Sequence, residues 1–556
     1  MSDAYRRLRE GMPEPGMNTT GRFHADPKKV KAWVAALPRA NAMATQQELD
    51  TALASLSSQR LEGGQRLSVM DELRGVVVES IALLEQQFAG SSLPLPPAKA
   101  QQAQHAEMFH LWLAHGYRKA AVEICSPNGN IPMLRGAAVL QSLQRAAWHY
   151  SRCLALSWRI YRAPTAGTWQ GLHRIHRFAL ELKLESKLVE DKTAKVSIDI
   201  QTLYIQTLLM AVSNPLAFSQ AEQDSLWPIA RSFAPLSPLL NDPPELNAPV
   251  VPEDADRGPG PGASGESHAL WLDVRAFIRE TEHALSRQQE GFSELVPGRG
   301  IGFRLTVDML MRLKRAFGLS AARTFKRLQA SHSIDTVIGL SGLHYYLAGQ
   351  RDFDTFMRQS SQQTVHVVER ASWANANTDA NRLPRIPARV LDQSLGGYRM
   401  AWDNANQIRA KVGEIVGMTL ADENEEPDWM VGVVRWLRYE MNGGLSAGVE
   451  LLARRSSALG VHIRSQDSMQ RAPLRGIELC STDASERSFL TQGSLDANAA
   501  SIEIVHGHEP YALNARAMSE TLVAGVDVLV NAGDYTVLRE LRSDLVAAET
   551  QEGVEA

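Results

Sequence analysis

The hydrophobic residues change their spacing along the chain, and this change limits the possible folds more than any other feature. Between Val139 and Tyr161 they recur at steps of three and four, which places them on one face of a helix. After about Ile386 they alternate with polar residues, as in a β-strand with one buried face. We therefore expect an α+β multidomain protein, with a large all-α N-terminal region followed by a β-rich C-terminal region.

Proline, glycine and strand-like runs divide the chain into segments. Residues 1–40 are polar and interrupted by prolines, and residues 241–267 hold too little apolar surface to fold alone. Short alternating runs between residues 388 and 453, with Asn442-Gly443 as a hairpin signal, favour a small β-barrel. The predicted segments are a flexible N-terminal arm (1–40), a helical domain (41–240), a Pro/Gly-rich acidic linker (241–267), a second helical segment with a basic stretch (268–360), a β-barrel (365–460) and a β-rich annex (461–556).

The composition narrows the class of protein. Lys and Arg total 58 against 62 Asp and Glu, and this net charge of −4 argues against a dedicated nucleic-acid binder, which needs clustered cations. The three cysteines, Cys125, Cys153 and Cys480, lie far apart, which favours a reducing compartment. The sequence has neither a signal peptide nor an apolar run long enough to cross a bilayer. We expect a cytoplasmic protein without a membrane span.

Motifs with known chemistry occur, but their surroundings favour structural roles. Gly444–Gly448 matches the GxSxG pattern, yet it starts in a predicted hairpin turn and not in a strand-to-helix elbow. The histidine pairs at 173 and 176 and at 506 and 508 each lack a third metal ligand nearby. We therefore predict that the chain is not an enzyme and holds no metal or cofactor.

A short segment around residue 390 is the most informative part of the sequence. It places Arg385 and Arg389 close to a turn that contains Asp392, Ser394 and Gly397. Guanidinium groups bind phosphates and stack on planar bases, a carboxylate accepts from a base edge, and glycine lets a ligand approach the backbone. On these residues alone, an Asx-type turn with surface arginines is an equally good interpretation.

This segment resembles the PilZ family of bacterial cyclic-di-GMP receptors, whose signatures are an RxxxR element and a D/N-x-S-x-x-G turn at the mouth of a small β-barrel. Asp392-Gln-Ser394-Leu-Gly-Gly397 matches the turn without gaps, and the strand-like runs that follow match the barrel in order and length. The resemblance implies a PilZ-like barrel at 365–460, with a β-rich annex behind it, that binds cyclic-di-GMP.

The resemblance also implies roles for single residues. Arg385 and Arg389 would hold the phosphates and stack on guanine. Asp392 and Ser394 would contact the base or orient the arginines, and Gly397 would allow the turn. The helical region would then act on an unidentified protein partner.

Two alternatives remain open. The RxxxR element Arg385–Arg389 ends three residues before Asp392, whereas the family places it well before the turn, across the first strand. One alternative is therefore a PilZ-like scaffold that does not bind nucleotide. The other is a binder of nucleic acid or an anionic partner through residues 299–327, which hold eight basic residues and one acid. The same basic stretch could also supply arginines to the barrel.

Overall fold

The structure is a computed structural model that describes most of the chain. It shows a helical region, a closed β-barrel and a C-terminal antiparallel sheet. The described residues are 1–12, 23–244, 248–260, 269–289, 291–318, 327–360, 384–403, 408–420, 428–440, 444–464, 473–480, 487–493, 501–506, 520–523, 526–531 and 535–540.

The N-terminal region is built on three long helices that pack against one another. Its described elements are α1 (Asp3–Arg9), α2 (Pro27–Ala35), α3 (Ala42–Ser58), α4 (Gly63–Phe88), α5 (Pro97–Ile124), α6 (Gly136–Arg159), α7 (Thr168–Glu181), the hairpin β1 (Val189–Asp191) and β2 (Val196–Ile198), α8 (Ile200–Val212) and α9 (Gln220–Phe233). The long helices are α4, α5 and α6, and α5 lies between the other two. Their apolar faces form the core of this region, as the sequence predicts.

Helix α6 buries the predicted face. Its members Val139, Leu143, Ala147, Tyr150, Leu154 and Trp158 are all buried. The helix ends at Arg159, two residues before the predicted end, because Tyr161 adopts a left-handed conformation with φ +54°. The carbonyl of Tyr161 then accepts a hydrogen bond from the backbone N–H of Tyr439, at 2.8 Å. This bond joins the helical region to the barrel.

The N-terminal segment is docked, although its composition predicts a mobile or loosely docked arm. In α1, Tyr5 and Leu8 are buried, and the Tyr5 hydroxyl donates to the carbonyl of Val122 at 2.9 Å. Two buried apolar side chains on one short helix are enough to hold it against α5 and α7. Within residues 1–12 and 23–40, the helices therefore belong to the helical region.

The predicted linker also carries structure. Part of it joins a three-stranded sheet in the order β3 (Leu239–Leu240), β5 (Ala269–Leu272), β4 (Val250–Pro252). Val251 is fully buried, and the carboxylate of Asp256 accepts hydrogen bonds from the backbone N–H groups of Gly167 and Gln170. Composition misses this docking because the partners of the segment are the free N–H groups at the start of α7, a distant element.

The cap at α7 gives a testable consequence. Replacing Asp256 by alanine removes both acceptors, and we expect a loss of about 1 kcal/mol of unfolding free energy. The matched control is Asp242→Ala, an exposed acid of the same segment, with an expected change within about 0.5 kcal/mol. Urea unfolding followed by far-UV circular dichroism measures both. Equal stabilities of the two variants would contradict the docking of this segment.

A mixed segment connects the helical region to the barrel. It consists of α10 (Arg275–Ser286), the hairpin β6 (Phe292–Leu295) and β7 (Phe303–Thr306), and α11 (Val307–Phe317). The side chain of Thr306 caps α11 by accepting from the N–H of Met309, and Phe317 stacks on Phe277 of α10 with ring centroids 3.8 Å apart. The two helices therefore form one packed layer.

Six described strands close into an antiparallel barrel, as the sequence predicts. They are β9 (Ser333–Ile338), β10 (Ile386–Ser394), β11 (Gly397–Trp402), β12 (Ile415–Leu420), β13 (Met430–Tyr439) and β14 (Leu445–Ala453). Around the barrel the order is β9, β10, β11, β14, β13, β12, and β12 pairs again with β9. Inside, Trp402 is fully buried and its Nε1–H donates to Thr336 at 3.0 Å. The predicted hairpin residues 441–443 lie outside the described residues.

The barrel begins earlier in the chain than its predicted boundary at residue 365. Strand β9 lies within the segment 268–360 that the sequence assigns to helices, as does the short strand β8 (Leu328–Gln329), which pairs with the end of β10. Two helices, α12 (Leu340–Leu347) and α13 (Phe353–Ser360), follow β9 before the chain returns to the barrel. This insertion separates strands that are neighbours in space.

The C-terminal annex is an antiparallel sheet that continues directly from the barrel. Its described strands are β15 (Arg455–Arg464), β16 (Leu474–Cys480), β17 (Arg487–Gln492), β18 (Ser501–His506), β19 (Glu520–Val523), β20 (Val526–Asn531) and β21 (Tyr535–Glu540). Their order is β19, β18, β15, β16, β17, β21, β20. Helix α12 packs on this sheet, and the ring of His344 contacts the carbonyl of Leu459 at 3.0 Å. No helix in the described part of the chain is long and apolar enough to cross a membrane.

Candidate ligand site on the barrel

The predicted turn is a tight hairpin at the mouth of the barrel. Ser394 and Gly397 pair across its end, and the Ser394 hydroxyl lies 3.4 Å from the carbonyl oxygen of Gly397. Gly397 has φ +151°, and a Cβ there would overlap the carbonyl oxygen of Val449 on β14. Only glycine fits this conformation and this close approach of two strands. The sequence pattern therefore marks a real constraint of the backbone.

Asp392 lies between two arginines on the outer face of the barrel. Its carboxylate accepts from Arg327 at 2.9 Å, and the guanidinium of Arg399 lies 3.8 Å away. The carboxylate is largely buried, with 16% of its side chain exposed, whereas Arg327 and Arg399 are about two-fifths exposed. The arginines therefore hold the carboxylate while keeping free N–H groups at the surface.

Backbone pairing explains how Arg327 reaches this carboxylate. Arg327 directly precedes β8, and in the register of β8 and β10 Gln329 faces Asp392. On the other side, Arg399 of β11 is the direct cross-strand partner of Asp392, after an irregularity in β10 that follows Val390. Directly paired residues project from the same face of a sheet. The three charged groups therefore meet by strand register.

The two arginines that the sequence predicts for phosphate binding lie elsewhere. The guanidinium of Arg385 lies over the rings of Tyr346 and Trp429, at 4.9 and 5.7 Å from their centroids. Arg389 is exposed and pairs with Asp403 at 2.9 Å, and this hydrogen bond lowers the pKa of Asp403. Among the described contacts, neither guanidinium is hydrogen-bonded or ion-paired with Asp392.

A signal for the missed arginine is present in the sequence. Arg323-Thr-Phe-Lys-Arg327 also has the RxxxR spacing, and it stands inside the basic stretch 299–327. This element precedes β8 and β9 in the chain, so both strands lie between it and the turn. Arg323 lies outside the described residues, and the contact with Asp392 is shown for Arg327. Arg327 of the basic stretch therefore reaches the barrel and pairs with Asp392.

An aromatic residue that the sequence analysis did not select extends the same face. In the strand register Arg399 faces Gly448 of β14, and Gly448 faces Trp436 of β13. A Cβ on Gly448 would overlap the indole of Trp436, so the ring lies against the strand at this glycine. Together with Asp392, the row offers a carboxylate, a guanidinium and an aromatic ring across four neighbouring strands.

The chemistry of this row fits a nucleotide that contains guanine and phosphate. Guanidinium groups bind phosphate oxygens through paired charge-assisted hydrogen bonds. The Asp392 carboxylate accepts from donors such as the exocyclic amine of guanine. Within the described residues, no group of three or more His, Cys, Asp or Glu side chains is placed to hold a metal ion.

A closed barrel of six strands with a D-x-S-x-x-G turn at its mouth defines a PilZ-type domain, as the sequence resemblance predicts. Two family models support this assignment. The family model described as "Cyclic-di-GMP receptor FimW, N-terminal domain" matches residues 28–244. The model described as "Cyclic-di-GMP receptor FimW, middle PilZ domain" matches residues 262–382 and 368–457. Together they cover about three quarters of the chain.

A full-length relative gives the same assignment. The cyclic-di-GMP receptor FimW of Pseudomonas aeruginosa is 24% identical over 566 residues, and the match covers 92% of this chain and 91% of the relative. The chain therefore belongs to the family of PilZ-containing cyclic-di-GMP receptors that these models describe.

Proposed function

We propose that this chain is a regulatory protein that binds cyclic-di-GMP and passes the signal to a protein partner. The observation that supports this most strongly is the position of Asp392 between Arg327 and Arg399, next to the turn at Gly397. The relative's name states that it is a receptor for the same nucleotide. The site and the family point to one ligand.

Each group of the site has a role in this proposal. Arg327 and Arg399 bind phosphate oxygens through N–H groups that Asp392 leaves free. The Asp392 carboxylate holds both arginines and accepts from a guanine edge, and Ser394 supports the turn. Trp436 offers its ring face to a base, a contact that is worth about 1–3 kcal/mol per base. Arg385 keeps its contacts with aromatic rings, and Arg389 keeps its ion pair with Asp403.

In this proposal, the helical region contacts a partner protein in the cytoplasm. Within the described residues, the buried Cys125 and Cys153 form no disulfide, as is usual in a reducing compartment. Binding of nucleic acid through residues 299–327 is less well supported. In the described part of this stretch Arg312 pairs with Glu222 and Lys314 with Glu282, so carboxylates already neutralise part of its charge.

Isothermal titration calorimetry of the full-length chain tests the proposal. We expect cyclic-di-GMP to bind with a Kd in the micromolar range or below, which corresponds to about 8 kcal/mol. The matched control ligand is cyclic-di-AMP, because adenine lacks the donors that guanine presents to a carboxylate. We expect it to bind at least ~100-fold more weakly. If folded protein gives no heat with either nucleotide, the chain is a PilZ scaffold that has no nucleotide function.

A further inference from the structure

Helix α11 forms ion pairs with both the helical region and the barrel, through Arg312 and Asp308. Its buried residues Met309, Leu310, Leu313 and Phe317 hold it in the layer formed with α10. Along the chain, α11 ends ten residues before Arg327, so the arginine that pairs with Asp392 follows this helix closely. Helix α11 is therefore the last described helix before Arg327 in the chain.

A chain of alternating charges crosses α11, and we call it the Asp308 network. The Asp308 carboxylate accepts from Arg312 at 2.8 Å and from Arg435 of β13 at 2.9 Å. On the helical side, Arg312 pairs with Glu222 and donates to the carbonyl of Ala217 at 2.7 Å. On the barrel side, Arg435 pairs with Glu450 of β14 at 2.6 Å. The network consists of Glu222, Arg312, Asp308, Arg435 and Glu450.

The centre of this network is shielded from water, which strengthens its interactions. The exposed fractions of the side chains are 11% for Asp308, 13% for Arg312 and 19% for Arg435. Burial disfavours the charge on each guanidinium, but the neighbouring carboxylates outweigh it, so the pKa values of Arg312 and Arg435 are raised. Breaking such a partly buried set costs more than breaking a surface ion pair.

Both ends of the network touch structurally defined points. Glu222 forms the capping box of α9, where it accepts from the N–H of Ser219 at 2.7 Å. Glu450 is the direct cross-strand partner of Gly397, the glycine that fixes the candidate ligand turn. One connected set of charges therefore runs from the start of α9 to the strand beside the ligand turn, and crosses the helix that precedes Arg327.

We infer that Asp308 is a positioning residue for the ligand site, and that through it nucleotide affinity depends on the contact between the helical region and α11. This inference rests on the proposed function. Ligand binding fixes Arg327 and the Gly397 turn relative to each other. The Asp308 network extends this constraint to the start of α9. By linkage, a partner that alters this contact changes the affinity for the nucleotide by the same factor as the nucleotide changes the affinity for the partner.

The substitution Asp308→Asn tests this role with a small change in shape. It splits the network into two halves, while Arg312 keeps Glu222 and Arg435 keeps Glu450. The matched control is Glu123→Gln, which weakens a comparably buried pair with Arg66, 2.7 Å apart, inside the helical region. There Arg66 keeps the carbonyl groups of Leu56 and Gln59 as acceptors.

Two measurements on the full-length proteins separate positioning from general stability. In calorimetry with cyclic-di-GMP, we expect the Kd of Asp308→Asn to rise ~5-fold or more and that of Glu123→Gln to stay within about twofold. In hydrogen exchange, we expect the nucleotide to protect residues 219–223 in the wild type and in Glu123→Gln, and this protection to be lost in Asp308→Asn.

Three results would overturn the inference, and they differ in what they mean for the proposed function. Wild-type binding with an unchanged Kd and unchanged protection in Asp308→Asn overturns the inference and leaves the proposed function in place. Equal weakening by both variants also overturns it, because the effect is then one of stability. Absence of binding by the folded wild type overturns the inference together with the proposed function.

Discussion

Replacing Arg327 by alanine is expected to weaken the binding of cyclic-di-GMP at least ~100-fold, because a charge-assisted contact with a phosphate is lost. The variant also removes the closest described counter-charge of Asp392, whose carboxylate then keeps, within the described residues, the ion pair with Arg399 at 3.8 Å. With less positive charge around it, the carboxylate repels the phosphates of the ligand more strongly. The Kd from calorimetry measures the effect, and the thermal transition of the free protein checks that the variant folds.

The matched control is Arg389→Ala, which removes the exposed arginine that the sequence predicts as a phosphate ligand. Its guanidinium pairs with Asp403, so we expect the Kd to change by less than about threefold. A ligand site at Arg389 would reverse this order. If Arg389→Ala abolishes binding while Arg327→Ala leaves it intact, the site belongs to the arginines that the sequence pattern selects.

Local patterns in the sequence predict the turn and the barrel strands. The alternating runs at 388–391 and 398–402 lie within β10 and β11, and the turn between them carries Asp392, Ser394 and Gly397. Strand period and turn chemistry are properties of adjacent residues, so a single sequence contains them. In the structure these residues form a hairpin, and its backbone requires glycine at residue 397.

The arginine partner of Asp392 depends on contacts that local patterns do not contain. Arg327 and Asp392 are 65 residues apart, and α12 and α13 stand between them in the chain. The RxxxR spacing occurs at Arg385–Arg389 and also earlier in the chain, at Arg323–Arg327, and proximity to the turn favours Arg385–Arg389. Only the pairing of β8 with the end of β10 shows that the earlier element returns to the turn. Trp436 reaches the same face through register across β14, which the sequence also does not show.

The docked segments at 1–12 and 248–260 have the same explanation. Their compositions predict mobile chain, but Tyr5 is buried in α1, which packs against α5 and α7, and Val251 is buried in β4, which pairs with β5. The acids of 248–260 have partners in the helical region, where Asp256 caps α7 and Asp254 pairs with Arg177 at 3.4 Å. Composition indicates how much apolar surface a segment can bury by itself. It does not indicate which distant elements of the fold the segment packs against.

Four buried histidines make the helical region sensitive to acid. His110, His149, His173 and His176 are almost fully buried. Burial lowers the pKa of His110 to about 3 and those of His173 and His176 to about 4. Burial, followed by the charge of Arg74, also lowers the pKa of His149. The folded protein therefore keeps these rings neutral at a pH where the unfolded chain protonates them.

The hydrogen bonds of His149 explain why a proton is poorly accepted there. Its Nε2 lies 2.9 Å from the Nε–H of Arg74, which can only donate, so Nε2 is unprotonated. Its Nδ1–H then donates to Nδ1 of His110 at 3.0 Å. A second proton on His149 would face the charge of Arg74, which is itself bound at 2.6 Å to the buried Asp191. Protonation therefore requires this cluster to open.

Stability is expected to fall as the pH is lowered from about 6.5 toward 4. In this range the unfolded chain binds protons that the folded protein excludes, so the free energy of unfolding drops with decreasing pH. The slope approaches about 1.4 kcal/mol per pH unit for each such histidine. Urea unfolding at pH 7 and pH 5, followed by far-UV circular dichroism, should therefore give a clearly lower midpoint at pH 5.

Two variants assign this pH dependence to the buried rings. The Nε2–H of His176 donates a hydrogen bond to the amide oxygen of Gln201 at 2.6 Å. The amide of glutamine can replace this donor, so His176→Gln is expected to flatten the slope. His24 is exposed, and His24→Gln is expected to leave the slope unchanged. Because the unfolded chain binds the extra protons, the buried rings can only lower stability as acid is added. A midpoint that is equal or higher at pH 5 in the wild type would therefore mean that these rings are already protonated in the folded protein.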